Sequence, residues 1–143
     1  MNFSLTSTIG PGEFFGYLVQ TRIALKLTHW SQPDKSDATH VALDELYDSL
    51  DDLIDSIIEK YQGIYGIVNI KVPIATSTTN PLELVQGCYN YIQQNRKTFN
   101  DSFIQNIIDE ISAAIAKTLY LSLYKVFAIA KTLYKLKFVR SLA

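Results

Sequence analysis

A chain of 143 residues, 48% apolar and 19% charged, carries enough apolar surface for one packed core, which excludes wholesale disorder. Its single cysteine, Cys88, excludes an intrachain disulfide and a thiolate zinc site. The net charge of −1 conceals an asymmetry: residues 1–110 carry 14 acidic and 7 basic side chains, residues 111–143 carry 6 basic and none acidic.

Residues 1–12 read as a lead-in that ends in the breaker Gly10-Pro11-Gly12. Helix A is expected over 13–29, with Phe14, Phe15, Leu18, Val19, Ile23, Leu25 and Leu27 as its apolar residues. Pro33 and the polar run from Ser31 to Asp37 make a turn, and Ser36 or Asp37 is placed to cap the next helix. Helix B, over 38–62, is the clearest element. Leu43, Leu46, Tyr47, Leu50, Ile54, Ile57, Ile58 and Tyr61 form a wide apolar stripe at steps of three and four. His40, Asp44, Asp48, Asp51, Asp55 and Glu59 form the opposite polar stripe, and Gly63 and Gly66 are expected to end the helix.

A long connection follows over 63–80, with a β-like run from Ile67 to Val72 and a Ser/Thr-rich stretch to Asn80. Connections of this length inside one domain have a job. Here it is expected to cross the molecule end to end, so that helices B and C run parallel. Asn80-Pro81 supplies a cap and a first-turn proline for helix C, over 81–96. Asn100, Asp101 or Ser102 caps helix D, over 101–138, whose apolar face is Ile104, Ile107, Ile108, Ile111, Ile115, Leu119, Leu123 and Val126. Inside helix D the seven letters from Ala114 to Tyr120 recur unchanged from Ala128 to Tyr134, an offset of 14. Two heptads nearly preserve the facing side of a helix, so the duplication lengthens the element without re-aiming it. Helix D would measure about 55 Å against roughly 37 Å for helix B, and it either overhangs the others or breaks into a fifth helix. The expected fold class is therefore all-α: a single domain over 1–143, a four-helix bundle with one long crossover, the connectivity of ferritin-like bundles.

The basic tail has the charge to meet nucleic acid or anionic lipid. Its lysines are spread through apolar sequence rather than clustered, which favours an ordinary solvated helix face. Lys117, Lys125 and Lys131 interrupt the only long apolar stretch, and the first residues lack the basic start and apolar run of a secretory signal. A soluble intracellular protein without membrane contact is the expectation.

The chemistry concentrates in one window. The chain has two histidines, His29 and His40, and both lie close to Asp44, Asp55 and Glu59. His40/Asp44 and Asp55/Glu59 are i, i+4 pairs on helix B, so each pair offers two ligands on one side of the helix. A mixed imidazole and carboxylate set with few sulfurs favours iron, manganese or zinc over copper(I) or an iron–sulfur cluster. The pairs lie about 22 Å apart along the axis, so one chain cannot bring both to one ion. Two B helices packed antiparallel about a two-fold axis can, with His40 and Asp44 of one copy facing Asp55 and Glu59 of the other. His29, one short turn away, is placed to close the shell.

The window Thr28-His29-Trp30, His40-x-x-x-Asp44, Asp55-x-x-x-Glu59 resembles the ferroxidase signature of the Dps-like miniferritins. It is also similar to small phage-encoded ferritin-like proteins that carry the same helix A–helix B block. The resemblance covers about residues 13–62 and departs from the family by one residue between His29 and His40. It implies an enzyme that oxidises Fe(II) with peroxide or oxygen at an inter-subunit di-iron site and stores ferric mineral in a hollow, dodecameric shell. It further implies Asp55 and Glu59 as the main ligands, with Glu59 bridging two ions. His29, His40 and Asp44 would complete the site from the two-fold mate, and Trp30 would stand beside the metal as a packing and redox-quenching neighbour. The implied location is the cytoplasm of a bacterial or phage-infected cell. DNA binding through a basic N-terminal arm is not expected, because residues 1–21 contain no Lys or Arg.

The remaining residues invite plainer readings. Asp48, Asp51 and Asp52 read as a solvated face, Trp30 as core or interface packing, and Cys88 as a small buried hydrophobe. The alternative to an iron protein is a non-catalytic assembly protein, of viral origin, that keeps the bundle and oligomerises through its extended last helix.

Overall fold

The computed structural model describes residues 9–32 and 38–142. It is all-helical, with four α-helices, one 3-10 turn and no strand among the described residues. Helix α1 spans Pro11–Ser31, α2 Ala38–Tyr65, α3 Pro81–Asn95 and α4 Ser102–Ser141, with the 3-10 turn at Arg96–Thr98. Helix α1 packs against α2 and α3, and α4 packs against the same two, so the helices form a closed ring with α1 opposite α4.

Neighbours in that ring all run antiparallel. Phe15 meets Tyr61 at one end of α1–α2 and His29 meets His40 at the other. Tyr17 stacks on Tyr91 where α1 crosses α3. The Tyr65 hydroxyl donates to Asp101 and Lys117 reaches Glu45, which sets α2 against α4. Arg96 pairs with Asp109 and Gln93 donates to Ser112, which does the same for α3 and α4. Helices α2 and α3 are therefore parallel, and one long connection between them makes this possible.

That connection, 66–80, is extended without sheet partners, so the apolar run Ile67–Val72 is not a strand. It lies along α1 from end to end, because Gly12 and Gly16 leave room for it. A Cβ at either glycine would run into the carbonyl oxygen of Asn69 or Lys71. Gln20 donates to the Ile74 carbonyl and the Thr78 amide donates to the buried Thr28 hydroxyl, which ties down the far end.

Several element ends differ from expectation for local reasons. Gly10-Pro11-Gly12 does not precede the first helix but starts it. Gly10 is the N-cap, its amide donates to Glu13, and Pro11 fills the first position, where its missing N–H costs nothing. Gly63 does not end α2; the helix runs on to Tyr65 and stops at Gly66, whose φ of 83° suits glycine. The expected caps Ser36 and Asp37 lie outside the described residues. Asn80 caps α3 as expected, accepting from the Glu83 amide. Asp101 is the N-cap position of α4 but its carboxylate accepts from Tyr65 instead of a helix amide. Helix α4 is a single element of 40 residues, about 60 Å long, and not two.

The core takes Phe14, Phe15, Leu18 and Leu25 from α1, Leu43, Leu46, Leu50, Ile54 and Ile57 from α2, Val85, Cys88 and Ile92 from α3, and Ile104 to Ile115 from the apolar face of α4. Ile23 and Leu123, expected inside, are exposed: Ile23 turns to the outer side of α1, and Leu123 lies where α4 is leaving its neighbours. Helix α4 also holds an 18-residue stretch of mean hydropathy 1.4, apolar enough by length and composition to cross a membrane despite its lysines.

Candidate metal centre

The C-terminal end of α1 and the first turns of α2 bring His29, His40 and Asp44 together. His29 is nearly buried at 9% exposure, whereas Asp44 is partly open to solvent. The His29 Nδ1–H donates to the backbone carbonyl of His40 at 3.0 Å. A carbonyl only accepts, so this bond fixes the tautomer and leaves the Nε2 lone pair free when the ring is neutral. Nε2 faces Asp44 Oδ1 at 3.5 Å. Two acceptors turned toward each other attract only if a proton or a cation lies between them. The imidazoles of His29 and His40 stand with centroids 3.8 Å apart. Nδ1 of His40 is buried without a hydrogen-bond partner among the described residues. An unmatched buried nitrogen costs about 1–3 kcal/mol, so a bound cation or donor at this spot would be stabilising.

A resident cation already stands at the edge of this cluster. The Lys26 ammonium donates to Asp44 Oδ1 at 2.8 Å, the same oxygen that His29 faces. This bond holds the Asp44 carboxyl below the usual carboxylate range and raises Lys26. Lys26 also lies over the Tyr47 ring at 4.5 Å, with Trp30 at 5.8 Å. One turn earlier, Arg22 pairs with Asp51 at 2.9 Å and also lies over the Tyr47 ring, at 4.1 Å. Neither Lys26 nor Arg22 figured in the reading of the sequence. The signal for Lys26 was present, since it precedes His29 by three positions and so shares its helix face.

Asp55 and Glu59 stand elsewhere. They lie on the same polar stripe of α2 but more than three turns further on, and both are exposed and, among the described residues, unpaired. Within one chain, and among the described residues, no three His, Cys, Asp or Glu side chains converge to hold a metal ion. The cluster of His29, His40 and Asp44 and the acids Asp55 and Glu59 are thus separate features of one chain. Trp30 is 69% exposed, which corrects the core reading and leaves its ring on the outer surface beside the cluster. Asp48 and Asp52 are solvated, as expected. Cys88 is buried and its thiol is pushed up to about 12 by that burial, which makes it inert.

A family model described as a family of unknown function, DUF5856, matches residues 29–121, a span that starts at His29 and includes the other four candidate ligands. Neither the curated proteins nor the solved structures returned a match.

Proposed function

The chain belongs to the DUF5856 family, of unknown function, and we propose that this member is a ferritin-like, Dps-like iron-binding subunit. In this reading two chains pair antiparallel along α2. His29, His40 and Asp44 of one copy and Asp55 and Glu59 of the other then hold iron between them, twice per dimer. Such dimers would be the units of a larger iron-sequestering shell in the cytoplasm. Iron is the substrate: Fe(II) passes an electron to peroxide or oxygen and stays bound as Fe(III). Zinc or manganese would occupy the same ligands without turnover.

One observation carries the reading. The backbone of His40 orients His29 so that its free nitrogen faces the Asp44 carboxylate, the way outer contacts orient metal-ligating histidines. The ring topology with one crossover, the exposed acids Asp55 and Glu59, and the unmatched His40 nitrogen add support. Pairing along α2 sets Asp48, Asp51 and Asp52 against their copies near the axis. Arg22 offsets Asp51, and cations in the two shared sites would offset the rest.

Mixing of inactive variants tests both the chemistry and the sharing. His40→Ala and Asp55→Ala should each abolish the ferric absorbance that follows aerobic Fe(II) addition. In mixed dimers one of the two sites is intact, so equal amounts re-associated together should recover about a quarter of the wild-type signal. Full activity of either variant alone, or no recovery on mixing, would overturn the shared site.

A further inference from the structure

Beyond the bundle α4 continues with none of the other described elements packed on it. Every side chain from Ala128 to Leu142 is exposed, and among these Ile129, Leu133, Leu136, Phe138, Val139 and Leu142 are large and apolar. At 3.6 residues per turn Ile129, Leu133 and Leu136 share one side, while Val139, Leu142 and Phe138 spread over the following half turn to the opposite face. The same stretch carries Lys131, Lys135, Lys137 and Arg140, and no acidic side chain occurs anywhere in residues 111–143. The duplicated segment marks the contrast. Ile115 and Thr118 of the first copy are buried in the bundle, while Ile129 and Thr132 of the second, with the same backbone bond from each threonine, are bare.

Three occupants compete for this surface. A second copy of the helix would cover one stripe and leave the others wet, and it would set cations against cations with no acid to neutralise either. Nucleic acid would neutralise the charge but leave Ile129, Leu133 and Phe138 in water. An anionic bilayer surface satisfies both properties. Its headgroup phosphates receive the ammonium and guanidinium groups, and its acyl boundary receives the apolar side chains on the side that faces it, while lysine stems reach back to the surface. The five Lys and Arg residues after Tyr124 oppose passage through the hydrocarbon interior, so the helix lies in the interface.

We propose that residues 128–142 form a membrane-surface anchor that binds anionic phospholipid. The proposal stands independently of the metal reading. Flotation of the full-length protein with phosphatidylcholine vesicles, with and without phosphatidylglycerol, tests it. Recovery with the anionic vesicles should be higher on the order of tenfold or more at low salt, and should fall as salt screens the cations. The triple variant Lys131→Gln, Lys135→Gln, Lys137→Gln should lose the preference for anionic lipid. Leu133→Ser with Phe138→Ser should lower recovery at every salt concentration. All five positions are exposed, so circular dichroism should stay at the wild-type level. Equal recovery from both vesicle types, or none from either, would overturn the anchor. So would absence of flotation together with a dimer that Phe138→Ser dissolves, or with duplex DNA binding that the triple variant abolishes.

Discussion

Lys26 and His29 compete for one oxygen of Asp44, and the ammonium holds it now. A divalent ion arriving at this carboxylate has to displace a charge-assisted hydrogen bond. Replacing Lys26 by Met removes the competitor while keeping the stem over Tyr47. Affinity for Co(II), followed by its visible absorption, should then rise on the order of tenfold; an unchanged or weaker affinity would show that Lys26 does not guard the site. Burial pushes the Cys88 thiol, inside the bundle, from 9.0 and the half-buried Tyr17 phenol from 10.0, each up to about 12. The unfolded chain releases these protons earlier, so it binds fewer protons than the folded one between about 9 and 12. Stability is intact below that window and should fall as pH rises through it, which thermal melts at stepped pH would register; Cys88→Ala should flatten the decline. Legibility at this scale was uneven. Two histidines with an aspartate one turn along announced themselves by rarity and spacing, whereas Lys26, one of 13 basic residues, gained meaning only once α1 lay against α2.

Among the elements, α2 was the most readable, because its apolar and polar stripes stay separated over its whole length. Its end was not, since one glycine costs a helix only about 1 kcal/mol. Past Gly63 the contact of the Tyr65 ring with Tyr61, and the bond from Tyr65 to Asp101, outweigh that cost. The parallel course of α2 and α3 was legible from the length of the connection alone. The groove that receives this connection was not, because nothing marks Gly12 and Gly16 as seats for a passing backbone until Asn69 and Lys71 are seen above them. In α4 the repeated segment offers a controlled comparison of one side chain in two settings. Ile115→Ala removes a core residue that is 1% exposed and should cost about 2–5 kcal/mol in urea unfolding. Ile129→Ala alters the same letter at an exposed position and should stay within about 0.5 kcal/mol.

For the whole molecule, the proposed pairing along α2 would make association depend on metal. Sedimentation equilibrium should show the mass moving from one chain toward two as Zn(II) is added, and Asp55→Ala should block the shift. A mass indifferent to metal would remove the two-fold arrangement. The offset of 14 residues in α4 carries one more consequence. Excision of residues 114–127 would slide Ile129, Thr132 and Leu133 into the berths of Ile115, Thr118 and Leu119, with identical side chains filling them. The chain thus stores a spare for the last turns of its own interior. Its longest rod can shrink by one unit, about 21 Å, and refill its interior as far as Tyr120; just beyond, Leu136 would meet the berth of the buried Ser122.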